Sequence, residues 1–122
     1  MAQGDPGSIR VDREGPGPWV LELQGEHDLS TVRAIRAHLA PIADRGEGAV
    51  IDLSEVTFID SAVLTELLAA GRRSDDDDGA RLAIVAPPGG FPARVLGLLQ
   101  LGRVVAVYER RDEALASFEP AA

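Results

Sequence analysis

The segment Val50–Ser61 constrains the fold more than any other part of the chain. It begins within a run of apolar residues, Ala49–Leu53, that is interrupted only by Asp52, a pattern typical of a central strand that is covered on both faces. It ends in the pair Asp60-Ser61, after which apolar residues recur at helical spacing, at Leu64, Leu67, Leu68 and Gly71. The segment therefore predicts a buried strand that leads directly into a helix over residues 61–74.

Ser61 stands at the predicted start of that helix. A hydroxyl in this position lies beside unpaired backbone N–H groups and the positive end of the helix dipole. A serine at a helix start most often serves as an N-cap. The same position can carry a phosphate, which a helix N-terminus tolerates. Both interpretations of Ser61 stay open at this point.

The residues before this segment predict an opening hairpin and a first helix. Alternating apolar residues indicate strands at 9–11 and 19–24, separated by a turn rich in Gly and Pro. We expect residues 25–29 to form a loop and a helix to begin after Ser30, capped by Asp28 or Ser30 itself. Pro41 is expected to kink or end this helix. Its inward side carries Val32, Ile35, Leu39 and Ile42.

The residues after the second helix continue the alternation of strands and helices. Strands are predicted at 81–85 and 104–108, and helices at 91–100 and 112–118. In the third helix we expect Val95, Leu98 and Leu99 to face inward. Such alternation with short connections is typical of an α/β fold with right-handed crossovers. We therefore predict one domain over residues 8–118 with flexible termini at 1–7 and 119–122. Its mixed sheet has about five strands, the later ones parallel, and is accompanied by about four helices.

Composition narrows the classes of function. The chain has 122 residues, of which 45% are hydrophobic and 4% aromatic, so one aliphatic core is expected. The net charge of −8 disfavours direct binding to nucleic acid. No apolar run reaches the length of a membrane span, and the N-terminus lacks a signal-peptide pattern. We therefore expect a cytoplasmic protein without membrane insertion.

Metal and cofactor sites have little support in the sequence. Cysteine is absent, which removes disulfides and thiolate ligands. The acidic run Asp75–Asp78 lacks the ligand spacing of a calcium loop and is expected to be a solvated connection. Pro87–Gly90 lacks the Lys and hydroxyl residue of a phosphate-binding P-loop. We expect no metal and no cofactor.

Three polar residues, Asp28, Asp60 and Ser61, follow the carboxyl ends of predicted strands. Loops at that edge of an open α/β sheet gather into its binding surface. A hydrolase would need a base for the serine, and His27 is the only histidine near this edge. Because Ser61 lacks the Gly-x-Ser-x-Gly context of a nucleophile elbow, we keep this only as an alternative and expect the protein not to be an enzyme.

Two motifs resemble signatures of the STAS domain family, which contains bacterial anti-sigma-factor antagonists. They are Gly25–Leu29 and Val50–Ser61. The strand Leu82–Val85, the Leu-rich helix Val95–Gly102 and the segment Asp112–Leu115 resemble later parts of the family pattern. The resemblance covers roughly residues 8–118 in order.

The resemblance implies an anti-sigma-factor antagonist that acts by partner switching. The unphosphorylated domain would bind an anti-sigma factor, a serine kinase of the histidine-kinase-like type. Phosphorylation of Ser61 would release that partner. By the same resemblance, the partner-binding residues are Asp28, Ser30, Thr57, Asp60, Ser61, Ala62, Val63 and Thr65. We expect the protein to be a monomer or a weak dimer.

One position departs from the family pattern. Where the family usually has Gly two residues after the serine, this chain has Val63, whose side chain is expected to limit the approach of a partner. The alternative function is therefore a STAS binding subunit of another assembly, a stressosome-like scaffold or a transport complex, without phosphoswitching.

Overall fold

The computed structural model describes residues 7–76, 81–103 and 105–119. Within these residues one sheet contains five strands in the order β1-β2-β3-β4-β5. Four α-helices and one 3-10 turn connect or follow the strands. In chain order the elements are β1 (Ser8–Arg13), β2 (Trp19–His27), α1 (Leu29–Asp44), β3 (Ala49–Ile59), α2 (Ser61–Asp76), β4 (Leu82–Val85), α3 (Phe91–Leu98), the 3-10 turn (Leu101–Arg103), β5 (Ala106–Tyr108) and α4 (Arg111–Ala116).

The sheet is mixed, as predicted. β1 and β2 form an antiparallel hairpin, and β2, β3, β4 and β5 pair in parallel. Each parallel strand pairs with the next one along the chain, so right-handed crossovers place α1, α2 and α3 on the same face. Buried residues of these three helices form one aliphatic cluster with the sheet, whereas α4 packs in a second, smaller cluster. The prediction of a central strand is confirmed, since β3 is the middle strand.

The core is aliphatic, as its composition predicted. The four residues of α1 predicted to face inward are all buried: Val32, Ile35, Leu39 and Ile42. On the other face, the Arg111 guanidinium holds α4 against the sheet. Its Nε donates to the buried carboxylate of Asp52 at 2.7 Å, and its Nη2 donates to Glu22. Asp52 also accepts from the amide of Ser54 at 2.9 Å, so the charge buried in β3 is satisfied.

The segment predicted as a loop at 25–29 is mostly strand. β2 continues to His27, because it pairs with the long β3 through two register shifts. Gly25 has a φ of 82°, which glycine adopts without steric cost, and lies at one of these irregularities. Only Asp28 separates β2 from α1. The loop prediction was wrong because local polarity cannot reveal pairing with a distant strand.

Pro41 does not end the first helix, contrary to one of the two expectations for it. α1 continues to Asp44, and the amide of Arg45 still donates to the Pro41 carbonyl at 3.2 Å. Proline removes only the hydrogen bond to the carbonyl four residues earlier, that of Ala37. Both Pro41 and Ala37 are exposed, so water can satisfy that carbonyl.

The third helix differs most from its prediction. α3 ends at Leu98, and Leu98 and Leu99 are 76% and 56% exposed instead of buried. The residues of α3 that are buried are Pro92 and Leu96. Gln100 then takes a φ of 54°, and the following 3-10 turn brings Leu101 into the core. Asp75 and Asp76 extend α2, and the rest of the acidic run lies outside the described residues.

In the part of the chain that the structure describes, no helix has both the length and the apolar character needed to cross a membrane.

Candidate functional site

The carboxyl ends of β2 and β3 lie side by side and position the candidate site. His27 pairs with Ile59, and the His27 carbonyl accepts a hydrogen bond from the Asp60 amide at 3.1 Å. Because α1 and α2 begin directly after these strands, the two helix N-termini are neighbours at this edge. We call the surface formed by Asp28, Ser30, Asp60, Ser61 and Thr65 the Ser61 rim.

Asp28, one of the two caps predicted, caps α1, which begins at Leu29 and not after Ser30. Its Oδ1 accepts from the amide of Ser30 at 2.9 Å and also from the Ser30 hydroxyl. These hydrogen bonds, that of the hydroxyl foremost, hold the pKa of the Asp28 carboxyl below its usual value. The side chain is exposed, so a charged carboxylate stands on the rim.

Asp60, and not Ser61, caps α2. The Asp60 Oδ1 accepts from the amides of Ala62 at 3.0 Å and Val63 at 3.2 Å. Ser61 is the first residue of the helix, and its side chain is exposed. Among the residues described, none accepts a hydrogen bond from the Ser61 hydroxyl. The hydroxyl is therefore not needed for capping and faces solvent.

Ser61 also borders a shallow hollow of about 240 Å³ between α2 and the turn after α3. Thr65 lies one turn further along α2, and its hydroxyl donates to the Ser61 carbonyl at 2.7 Å. The rest of the lining is aliphatic: Leu64, Leu68, Leu99 and Leu101. Sequence reasoning missed Leu99 here because it assigned this residue to the core.

The other predicted partner-binding residues differ in their exposure to solvent. Thr57 is exposed near the end of β3, and Ala62 is half-buried. Val63 is 0% exposed and packs in the main core. The expectation that the Val63 side chain limits the approach of a partner is therefore corrected. It points away from the rim, because Asp60 and the first turn of α2 direct it toward the sheet.

His27 is fully buried beneath the rim. Its Nε2 lies 3.1 Å from the Gln24 carbonyl oxygen, and its Nδ1 lies 3.1 Å from the Thr31 hydroxyl. Burial lowers the pKa of His27, and the Gln24 and Ser8 carbonyls and the charge of Asp28 partly oppose this. Because both ring nitrogens have other partners, the ring is not arranged as a general base for Ser61. The geometry gives the hydrolase alternative no support.

Comparison with known proteins identifies the family. The family model described as "Mlab, STAS domain" matches residues 10–108. The chain belongs to the STAS domain family. This confirms the resemblance found in the two motifs. No curated protein matches the sequence.

Solved structures agree on the fold of this STAS domain. One is an anti-sigma factor antagonist from Mycobacterium paratuberculosis, with 24% identity, a TM-score of 0.74, and 97% of this chain and 98% of that chain covered. Another is SpoIIAA in its unphosphorylated form, with 20% identity, a TM-score of 0.72, and coverage of 90% and 95%. The phosphorylated form of the Bacillus cell fate determinant SpoIIAA has 19% identity, a TM-score of 0.68, and coverage of 92% and 100%. At these identities the likeness establishes the fold alone.

Proposed function

We propose that this STAS domain is an anti-sigma-factor antagonist whose binding is controlled by phosphorylation of Ser61. The observation that carries the proposal is the exposed Ser61 hydroxyl, which begins α2 without serving as its cap. A phosphoacceptor has to reach a kinase active site. Modification of this hydroxyl removes no hydrogen bond that the helix needs.

The carboxylate of Asp60 determines how a phosphate on Ser61 interacts with the start of α2. An unoccupied helix N-terminus would bind a phosphate through its amides. At α2 the Asp60 carboxylate already accepts from two of these amides, those of Ala62 and Val63. A phosphate of about −1.5 to −2 charges would therefore meet like charge and project toward solvent or a bound partner.

The charge added by one phosphate is sufficient to release the partner. Weakening a complex from about micromolar to about millimolar affinity requires roughly 4 kcal/mol. Repulsion between the phosphate and the carboxylates of Asp28 and Asp60, together with the desolvation of a phosphate in an interface, can supply this. The proposed partner is an anti-sigma factor of the histidine-kinase-like serine kinase type. The STAS domain itself acts by binding and not by catalysis.

Intact-mass measurement after incubation with such a kinase and ATP tests the modification. We expect one added phosphate on the wild type and on Ser30→Ala, and none on Ser61→Ala. Ser30 is the matched control, because it is an exposed serine of the same rim. Addition of phosphate to Ser61→Ala would place the acceptor elsewhere.

Binding to the unmodified anti-sigma factor tests the switch. We expect Ser61→Asp to bind about 100-fold or more weakly than Ser61→Asn, which has the same shape without the charge. Equal affinities would contradict switching. That result would favour the alternative function, a binding subunit of a scaffold or transport assembly that is not controlled at Ser61.

A further inference from the structure

His27 contacts three parts of the candidate site, two through its buried ring and one through its backbone carbonyl. Through its Nε2 it contacts the Gln24 carbonyl in β2, and through its Nδ1 it contacts Thr31 in the first turn of α1. Its backbone carbonyl accepts the amide of Asp60, the cap of α2. Gly7 lies against the ring, since a Cβ on this residue would come within 3.0 Å of two ring atoms.

The hydrogen-bond chemistry around the ring differs between its two protonation states. A carbonyl can only accept, so Nε2 carries a proton in either state. In the neutral ring Nδ1 is an acceptor, and the Thr31 hydroxyl has to donate to it. That hydroxyl also lies 3.0 Å from the Asp28 carbonyl oxygen, a second acceptor for its one hydrogen. The neutral state therefore leaves one of these two contacts unsatisfied.

Protonation of the ring reverses the direction of the hydrogen bond between His27 Nδ1 and the Thr31 hydroxyl. Nδ1–H then donates to the Thr31 oxygen, and the hydroxyl hydrogen is free to donate to the Asp28 carbonyl. All three contacts of His27 and Thr31 are satisfied in this state. The cost is a buried positive charge, which burial disfavours and nearby negative charge favours.

We propose that His27 is a positioning residue of the Ser61 rim, and that protonation of its ring is linked to the charge carried by Ser61. The ring of His27 acts through Thr31 and Asp28 at the start of α1, and its backbone carbonyl holds the Asp60 amide at the start of α2. The link to phosphorylation rests on the function proposed above. The positioning role stands on the hydrogen bonds alone.

Charge near the ring supports the link. Asp28, at the start of α1, favours the protonated ring. At the start of α2, the backbone amide of Asp60 donates to the His27 carbonyl at 3.1 Å, which ties the residue before Ser61 to the backbone of His27. Given the spacing of paired strands and of successive residues, the Cα of Ser61 lies within roughly 12 Å of that of His27. A phosphate at Ser61 therefore adds negative charge close enough to stabilise the imidazolium.

Linkage requires the effect to be reciprocal. If charge at Ser61 raises the proton affinity of His27, protonation of His27 favours the charged form of Ser61 by the same factor. The expected consequence is that the phosphorylated domain becomes relatively more stable as the pH falls through the titration of His27. The switch would then respond to pH as well as to the kinase.

NMR titration of the imidazole rings tests the link without a kinase. The chain has two histidines, so the exposed His38 is an internal reference in the same spectra. We expect the titration midpoint of His27 to move upward in Ser61→Asp relative to Ser61→Asn. Identical His27 midpoints in the two variants would overturn the link. Because this readout needs no phosphorylation, its failure is distinct from a failure of Ser61 to be phosphorylated.

Substitution of Thr31 tests the positioning role. Thr31→Val keeps the side-chain shape and removes the hydroxyl, so the imidazolium loses an acceptor. We expect a lower His27 midpoint and faster hydrogen exchange of the Ser30 and Thr31-position amides, with Thr31→Ser restoring both. Circular dichroism confirms folding. If Thr31→Val does not fold, Thr31→Ser serves as the test. We then expect its His27 midpoint and amide hydrogen exchange to equal those of the wild type, with the exposed Thr65→Val as control. A His27 midpoint and amide exchange unmoved by Thr31→Val, or unrestored by Thr31→Ser, would show that His27 does not position the rim.

Discussion

The carboxylate of Asp60 accepts the amide hydrogen of Val63 at 3.2 Å, closing the first turn of α2 around Ser61. The same oxygen accepts from Ala62 at 3.0 Å. The capping role and the proposed phosphoacceptor role therefore belong to two adjacent residues. Because Asp60 makes the capping hydrogen bonds, Ser61 can be modified while the start of the helix keeps its structure.

Substitution of the two residues should separate their roles. Asp60→Ala removes the cap and is expected to lower the free energy of unfolding by about 1 kcal/mol. Ser61→Ala should have a much smaller effect, because its hydroxyl satisfies no helix amide. Asp60→Asn, which can still cap, is the control for loss of charge. Urea denaturation of the three variants measures these differences, and equal destabilisation by Asp60→Ala and Ser61→Ala would contradict this assignment of the cap.

Gly48 lies against the ring of Phe118, which follows α4. A Cβ at this position would come within 2.4 Å of the Phe118 ring. Gly48→Ala must therefore shift the ring of Phe118, which packs against the second hydrophobic cluster, and is expected to cost about 1–3 kcal/mol.

Gly97→Ala is the matched control for that substitution. Gly97 lies in the last turn of α3, and an added Cβ there meets nothing within 4 Å. Alanine at this helical site is expected to stabilise by up to about 0.5–1 kcal/mol. Thermal unfolding should show opposite shifts in the two variants. A shift in the same direction for both would mean that the ring contact does not determine the effect at Gly48.

The ion pair between Arg111 and Asp52 should contribute more than its exposed neighbour. Arg111→Met leaves the carboxylate of Asp52, a residue only 3% exposed, without its cationic partner, and we expect a loss of about 2 kcal/mol. Arg110 forms a solvent-exposed pair with Asp112, so Arg110→Met should leave the denaturation midpoint unchanged. Denaturant titration of both variants at the same ionic strength makes the comparison. A null result for Arg111→Met would show that Ser54 alone satisfies Asp52.

Much of the fold follows from patterns within single elements. Val32, Ile35, Leu39 and Ile42 recur at helical spacing, and all four are buried. The apolar run in β3 predicted a central strand because only a strand covered on both faces can bury successive residues. Such periodicity is a property of a single element, so it predicts the buried residues without knowledge of the rest of the fold.

The errors arise where distant partners decide the outcome. β2 extends to His27 because β3 pairs with it, which its polar residues do not reveal. Leu99 is exposed because the chain leaves α3 at Leu98, and helical spacing therefore no longer applies to it. In the site, Asp60 caps α2, although serine and aspartate are both preferred N-cap residues and Ser61 was an equally good candidate. Choosing between two adjacent candidates needed the backbone geometry of the turn.

The stability of the domain should decrease as the pH falls through the range in which free histidine titrates. Burial holds the pKa of His27 below its ordinary value. Just below about pH 6.5 the unfolded chain therefore binds a proton on this ring that the folded chain does not, and stability is lost as the pH falls. The carboxyls with lowered pKa, including Asp28, contribute stability that is lost only below about pH 4, outside this range.

The His27→Leu variant isolates this effect. Leucine keeps an apolar side chain in the buried position and removes the titrating group. We expect the wild type to lose more stability than His27→Leu between about pH 7.5 and about pH 5.5, the range around the ordinary histidine pKa. His38→Gln, at an exposed site of α1, should behave like the wild type. Urea denaturation at the two pH values measures the difference, and equal losses in wild type and His27→Leu would show that the buried ring does not govern the pH dependence.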